Sequence, residues 1–175
     1  MSAILSLPEA FSRLYRTFYP PARPAKKDNA LRMGVLGAAR ITPIAIINPA
    51  LTHPDLVIEG VAARDLKRAQ EFAKKHGIKR VFGDYQEMID DPAIDVVYNP
   101  LPNGLHHQWT IKAIQAGKHV LLEKPSASNE KEAKEIWDMA KQKNVLVLEA
   151  WHYRNHPALH EYVSPIFEFT WSLRA

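Results

Sequence analysis

The stretch Gly34-Val35-Leu36-Gly37-Ala38-Ala39-Arg40-Ile41-Thr42 has the residue types of a turn that holds a pyrophosphate. Such a group needs a tight turn, a backbone free of bulky side chains, and a helix N-terminus pointing at it. Gly37 supplies the turn, and Ala39 and Thr42 stand where the G-x-G-x-x-G pattern has its second and third glycines. Ala39 is small enough for a close approach, whereas Thr42 suits helix–strand packing less well. Any strand–turn–helix with one glycine would read similarly, so the motif depends on its context.

A second chemical position lies 27 residues further on, in Val61-Ala62-Ala63-Arg64-Asp65. At the end of a second strand, an acid binds the ribose 2′-hydroxyl of NAD, and a basic residue accommodates the 2′-phosphate of NADP. Arg64 comes first here, and a guanidinium forks onto a phosphate, so NADP is favoured over NAD. The alternative leaves Arg64 solvated and makes Asp65 only a helix cap.

The third position is Leu121-Leu122-Glu123-Lys124-Pro125. Ligands of open α/β sheets bind beyond the carboxyl ends of the strands, where this lysine would stand. Next to an oxidised nicotinamide its amine would more readily give up a proton and serve as a base or hydroxyl partner. The alternative is an exposed lysine at a strand end.

These positions need a scaffold, and from residue 31 onward strands and helices alternate as in βαβ units. Strands are expected at Leu31–Leu36, Leu56–Ala62, Arg80–Phe82, Ile94–Tyr98, His119–Leu122 and Val145–Leu148. Helices are expected at about Arg40–Leu51, Asp65–His76, a short one from Asp84, His106–Ala116 and Glu130–Lys143. Pro43 suits a first helical turn, and Pro49 should kink or end that helix. Asp65 is a plausible cap and Gly77 a C-terminal stop. Asn99-Pro100-Leu101-Pro102-Asn103-Gly104 is a loop that no helix runs through, with Asn103 a further cap candidate. Six strands with intervening helices make a Rossmann-type doubly wound parallel sheet.

Composition excludes several function classes. The 175 residues contain no cysteine, which removes disulfides, thiolate metal sites and thiol catalysis. No run of 18 apolar residues suggests a membrane span. The net charge is +4, and Arg13, Arg16, Arg23, Lys26 and Lys27 against Glu9 and Asp28 place +3 of it in residues 1–30. No basic stripe runs through the remainder, so nucleic acid is not the expected partner. In residues 1–30, Ile4, Leu7, Phe11, Leu14, Tyr15 and Phe18 fall at helical spacing ahead of a proline-rich linker. This reads as a docking helix, with a mitochondrial transit peptide as the minority reading and a cytoplasmic location expected. His152, His156 and His160 have the spacing of a metal face, but Pro157 interrupts such a helix, and no metal is expected.

Together, Gly37-Ala38-Ala39-Arg40-Ile41, Tyr98-Asn99-Pro100-Leu101-Pro102-Asn103-Gly104-Leu105-His106 and Glu123-Lys124-Pro125 resemble the glucose–fructose oxidoreductase, inositol dehydrogenase and rhizopine-catabolism family. Within it the likeness is greatest to fungal NADP-dependent D-xylose 1-dehydrogenases and dimeric dihydrodiol dehydrogenases. It runs from about Leu31 to His160 and includes Leu148 to Pro157. The resemblance implies hydride transfer from a sugar or diol to NADP, with the lysine contact to the reacting hydroxyl falling on Lys124. It also makes Asn99, Pro100, Leu101, Asn103, His106 and Glu123 cofactor-site candidates beside Gly37, Ala38, Ala39, Arg40, Ile41 and Arg64. For His106 a helix-start residue bonded to backbone is an equal reading. A homodimer is admitted for the full-length form.

The family continues into a C-terminal α/β substrate domain and is roughly twice this long. Glu161 to Ala175 no longer resembles it, and Asn155 stands at a position usually aromatic in the subgroup. The expectation is residues 31–150 as an NAD(P)-binding domain, residues 151–175 as a divergent start of the next region, and the substrate domain missing. Its absence would expose apolar surface. The competing reading is a nucleotide-binding, catalytically incomplete fragment or a non-enzymatic sensor of the same fold, against which the retained Lys124 argues.

Overall fold

The computed structural model describes Phe11 and residues 23–151. Phe11 apart, the expected docking helix lies outside the described residues, as do His152, His156, His160 and the region after them.

Six strands are present: β1 Leu31–Leu36, β2 Leu56–Ala62, β3 Arg80–Phe82, β4 Val96–Asn99, β5 His119–Leu122 and β6 Val147–Glu149. They form one parallel sheet in the order β3-β2-β1-β4-β5-β6. The chain leaves β1 in one direction for β2 and β3 and in the other for β4, β5 and β6. That reversal is the topological switch point, where such sheets bind ligands. The doubly wound Rossmann-type sheet expected from the alternation is therefore present.

Near-continuous apolar strands are what a sheet covered on both faces requires. Val35, Val61 and Val97 are fully buried. One face, with Leu36, Ala62, Val97, Val120 and Leu122, packs against α3 Tyr85–Asp90, α4 His106–Gln115 and α5 Glu130–Lys143. The other, with Met33, Val35, Val61 and Tyr98, packs against Ile47, Ala73 and Ile78. Ala73 belongs to α2 Leu66–His76, which is capped by Asp65 and stopped by Gly77 in the left-handed region (φ 70°), as the sequence suggests. On the edge strand β6 and just before it, Leu148 and Leu146 stand exposed.

Three elements differ from expectation. The first helix is a π-helical turn, Pro43–Ile47, running into α1 Asn48–Thr52, and the Asn48 N–H bonds five residues back to the Pro43 carbonyl. Pro49 lacks an N–H and its ring crowds the preceding carbonyls, so the widened turn admits it where a regular α-helix would break. β4 begins at Val96 because the Ile94 N–H closes a turn onto the Asp91 carbonyl at 3.1 Å, and it extends to Asn99, which pairs with Leu122. β6 begins at Val147 because Val145 closes α5: its N–H bonds to the Ala140 carbonyl at 3.0 Å, after Asn144 turns left-handed at φ 53°.

Candidate functional site

The turn after β1 is built on Gly37, whose φ of 81° suits a residue without a Cβ. An added Cβ there would come within 3.0 Å of Leu101 Cδ2. The Gly37 N–H donates to the Ala62 carbonyl at 2.6 Å, which fixes the turn against the end of β2. Above it opens a cleft of about 730 Å³, lined by Gly37, Ala38, Ala39, Ala63, Arg64, Asp65, Arg68, Tyr85, Pro100, Leu101 and Pro102. This volume falls within the usual range for small-molecule sites. Its walls come from the ends of β1, β2 and β4, at the switch point.

Six candidates from the sequence share this cleft: Gly37, Ala38, Ala39, Arg64, Pro100 and Leu101. Arg40 and Ile41 are exposed beyond the turn and do not line it. Thr42, at the third-glycine position, is fully buried, and its hydroxyl has no hydrogen-bond partner among the described residues. Asp65 uses its carboxylate to cap α2, with Oδ1 accepting from the Arg68 N–H at 3.2 Å. Arg68 was not singled out by the sequence. It lines the cleft beside Arg64, and its Nη2 donates to the Ala38 carbonyl at 3.1 Å. Its spacing, one helical turn after Arg64, was the available signal.

The loop after β4 is fastened from beneath. Asn99 is fully buried, and its Nδ2 donates to the His106 carbonyl at 3.2 Å and to Thr110 Oγ1 at 3.1 Å, while its Oδ1 accepts from the Leu101 N–H at 3.3 Å. The His106 ring is buried between two carbonyls, with Nε2 2.7 Å from Leu101 O and Nδ1 2.7 Å from Pro125 O. Of the two readings for His106, this is the backbone-bonded one: the ring bridges the loops that follow β4 and β5. Neither Asn99 nor His106 lines the cleft; both hold the loop that does. Asn103 is exposed and opens a 3₁₀ turn, Asn103–Leu105; its side chain makes no capping bond, because Pro102 and Leu105 occupy the cap positions.

Lys124 follows β5 at the carboxyl edge of the sheet and is exposed, and the Lys124–Pro125 peptide is cis. The Glu123 side chain before it turns inward, where Oε1 accepts from the Tyr98 hydroxyl at 2.8 Å. Burial, together with this carboxylate, pushes the Tyr98 hydroxyl well above the usual phenol range, so Tyr98 stays a donor. Ser126 is held in turn, its N–H donating to Glu149 Oε1 at 2.8 Å.

A second residue that the sequence did not single out is Tyr85. It is buried against Trp109 in an edge-to-face contact (4.9 Å between centroids, 83° between planes), and it reaches the cleft floor. Its hydroxyl oxygen lies 3.7 Å from the point where a Cβ on Gly37 would stand.

Residues 31–150 match the model of an oxidoreductase family with an NAD-binding Rossmann fold, the glucose–fructose oxidoreductase, inositol dehydrogenase and rhizopine-catabolism family. The chain belongs to this family. Among its relatives is a D-xylose 1-dehydrogenase (NADP(+)) of Haloferax volcanii, 37% identical over 127 residues that make up 73% of this chain and 39% of that protein. A trans-1,2-dihydrobenzene-1,2-diol dehydrogenase of Xenopus tropicalis is 33% identical over 136 residues, 75% of this chain and 40% of that protein. The crystal structure of the 3-ketoreductase KijD10 from Actinomadura kijaniata, in complex with NADP and TDP-benzene, superposes with a TM-score of 0.75 and 29% identity, covering 80% of this chain and 43% of that one. The chain thus spans about two-fifths of the length of these relatives. The family's sugar and diol dehydrogenases and ketoreductases share with this chain a nucleotide-binding sheet. Among the described residues, no helix is long and apolar enough to cross a membrane.

Proposed function

We propose that this chain forms the NADP-binding part of an oxidoreductase that takes a hydride from the hydroxyl-bearing carbon of a small sugar, a D-xylose-like aldose, or of a diol. The observation that carries the reading is the pairing of Arg64 and Arg68 at one side of the cleft with the Gly37-Ala38-Ala39 turn at the other. The residues fit the cofactor: Gly37, Ala38 and Ala39 line the cleft without bulky side chains, and the two guanidinium groups of Arg64 and Arg68 suit a phosphate. The NADP named for the Haloferax enzyme and held in the KijD10 crystals supports the same choice.

When bound, NADP supplies a hydride acceptor at its nicotinamide. The chain's own residues do the rest. The Gly37–Ala39 backbone admits the pyrophosphate, and Arg64 and Arg68 take the 2′-phosphate. Lys124 Nζ contacts the reacting hydroxyl, the role that the family resemblance gives it, and as a free amine it takes up that proton as the hydride leaves. The bridges from His106 to Pro125 and from Tyr98 to Glu123 hold the chain on either side of that lysine. For an aldopyranose the product is a lactone.

Calorimetric titration of the 175-residue protein with NADP and NAD tests the cofactor assignment. Tighter binding of NADP is the expected result, equal affinities would remove Arg64 and Arg68 as selectors, and binding of neither would sink the reading. A panel of aldoses and diols with NADP then tests turnover by a full-length form that carries the substrate domain. Binding without turnover would leave a nucleotide-binding module.

A further inference from the structure

The floor of the cleft carries a polar group that the fold does not use. Tyr85 is only 6% exposed and packs within the same core cluster as Leu36 and Leu101. Its place is fixed from the backbone outward. Asp84 Oδ1 accepts from the Glu87 N–H at 2.8 Å, and Glu87 Oε2 reaches back to the Gly83 N–H at 2.6 Å. This reciprocal capping sets the first turn of α3, and Tyr85 is its first residue. Trp109 then grips the ring edge-on, itself covered by the Lys112 ammonium 4.4 Å from its ring centre. A ring held on these sides has little freedom to turn its hydroxyl elsewhere.

That hydroxyl donates to no described residue, although a buried tyrosine usually gives its O–H a partner. It stands 3.7 Å from the Cβ position of Gly37, within the residues that line the cleft. The Gly37-Ala38-Ala39 turn lines the same cleft, and such a turn is where a Rossmann fold brings a pyrophosphate close to the backbone. An O–H aimed at an anionic oxygen makes a charge-assisted hydrogen bond, about twice as strong as a neutral one.

We propose that the Tyr85 hydroxyl is a cofactor-binding group that donates to the pyrophosphate of the dinucleotide, an assignment that rests on the NADP reading of the cleft. The arrangement accounts for why a polar tip is kept on a ring otherwise buried in apolar surroundings. It also supplies the turn with a side-chain donor, which Ala38 and Ala39 lack.

The test is Tyr85→Phe in the 175-residue protein, titrated with NADP and with adenosine 2′-phosphate, which keeps the 2′-phosphate and lacks the pyrophosphate. The expected result is about a tenfold weaker affinity for NADP, the worth of one hydrogen bond to a charged group. Affinity for adenosine 2′-phosphate and the melting temperature of the ligand-free protein stay unchanged. Equal NADP affinity in parent and variant would overturn the assignment, and so would an equal loss for both ligands. A fall in the melting temperature would show that the hydroxyl serves the fold and would overturn it too. If the parent protein itself binds no NADP, the cofactor reading fails first and takes this assignment with it.

Discussion

The Tyr98 hydroxyl donates to Glu123 Oε1 at 2.8 Å, joining the end of β4 to the residue that precedes Lys124. Both residues are buried, and burial, with the neighbouring carboxylate, pushes the tyrosine hydroxyl well above the usual phenol range. Tyr98→Phe keeps the ring and removes a donor from a buried carboxylate. The expected cost is about 1–3 kcal/mol of stability, read as a lower midpoint in urea at unchanged slope. A variant as stable as the parent would show that the bond adds nothing to the fold.

Arg64 and Arg68 are exposed, so each is expected to act on the ligand and not on stability. Arg64→Ala and Arg68→Ala should each weaken NADP binding by about tenfold or more while leaving NAD binding nearly unchanged. Raised salt should narrow the difference between parent and variants, because exposed charges are screened. If both cofactors weaken equally, the arginines do not read the 2′-phosphate.

The amino edge of the sheet makes stability depend on acid. The Arg32 guanidinium holds the Asp95 carboxyl below the usual carboxylate range through bonds of 2.9 and 2.8 Å, and Arg80, then the Ala93 N–H, does the same for Asp91. A carboxylate depressed in the folded state contributes stability that is present above its unfolded pKa, about 3.9, and is lost as pH falls through the folded value. The melting temperature should therefore be insensitive to these two groups from about pH 7 to 5 and should fall below about pH 4. The doubly substituted Asp91→Asn, Asp95→Asn protein should start lower at neutral pH and fall less steeply in acid. Parallel acid limbs in the two proteins would remove these carboxylates from the account.

Periodicity and turn chemistry were enough to read the sheet, because Val, Ile and Leu runs bounded by Gly and Pro leave few alternatives in a βαβ chain. Asp65 and Gly77 marked the two ends of α2 for the same local reason. The first helix could not be read this way, since the π-helical turn ahead of Pro49 is a compromise between a missing N–H and the packing of Ile47 beneath it. The start of β4 also depends on a distant residue: Lys118 Nζ donates to the carbonyls of Asp91 and Ile94, each at 2.8 Å, and holds the turn that Ile94 closes. At the site, residue type pointed to Gly37 and Arg64, which line the cleft, whereas the inward hydrogen bonds of Asn99 and His106 emerge only when β4, α4 and the loop after β5 meet. Tyr85 carried no local signal, because a tyrosine at the start of a short amphipathic helix reads as core.

Thr42 departs from the glycine pattern, and the structure shows what the departure costs. Its side chain is fully buried at the start of the π-helical turn, and its hydroxyl lacks a partner among the described residues. A buried hydroxyl without a bond costs about 1–3 kcal/mol by comparison with an apolar group of the same shape. Thr42→Val replaces that hydroxyl with a methyl group of nearly the same volume and keeps the β-branch, so the backbone preference is little altered. The expected outcome is a gain of about 1 kcal/mol, a rise of a few degrees in melting temperature. NADP binding should not change, because the side chain is sealed from the cleft. A loss of NADP affinity with no gain in stability would mean that the hydroxyl turns toward the phosphate when ligand binds, making Thr42 part of the site.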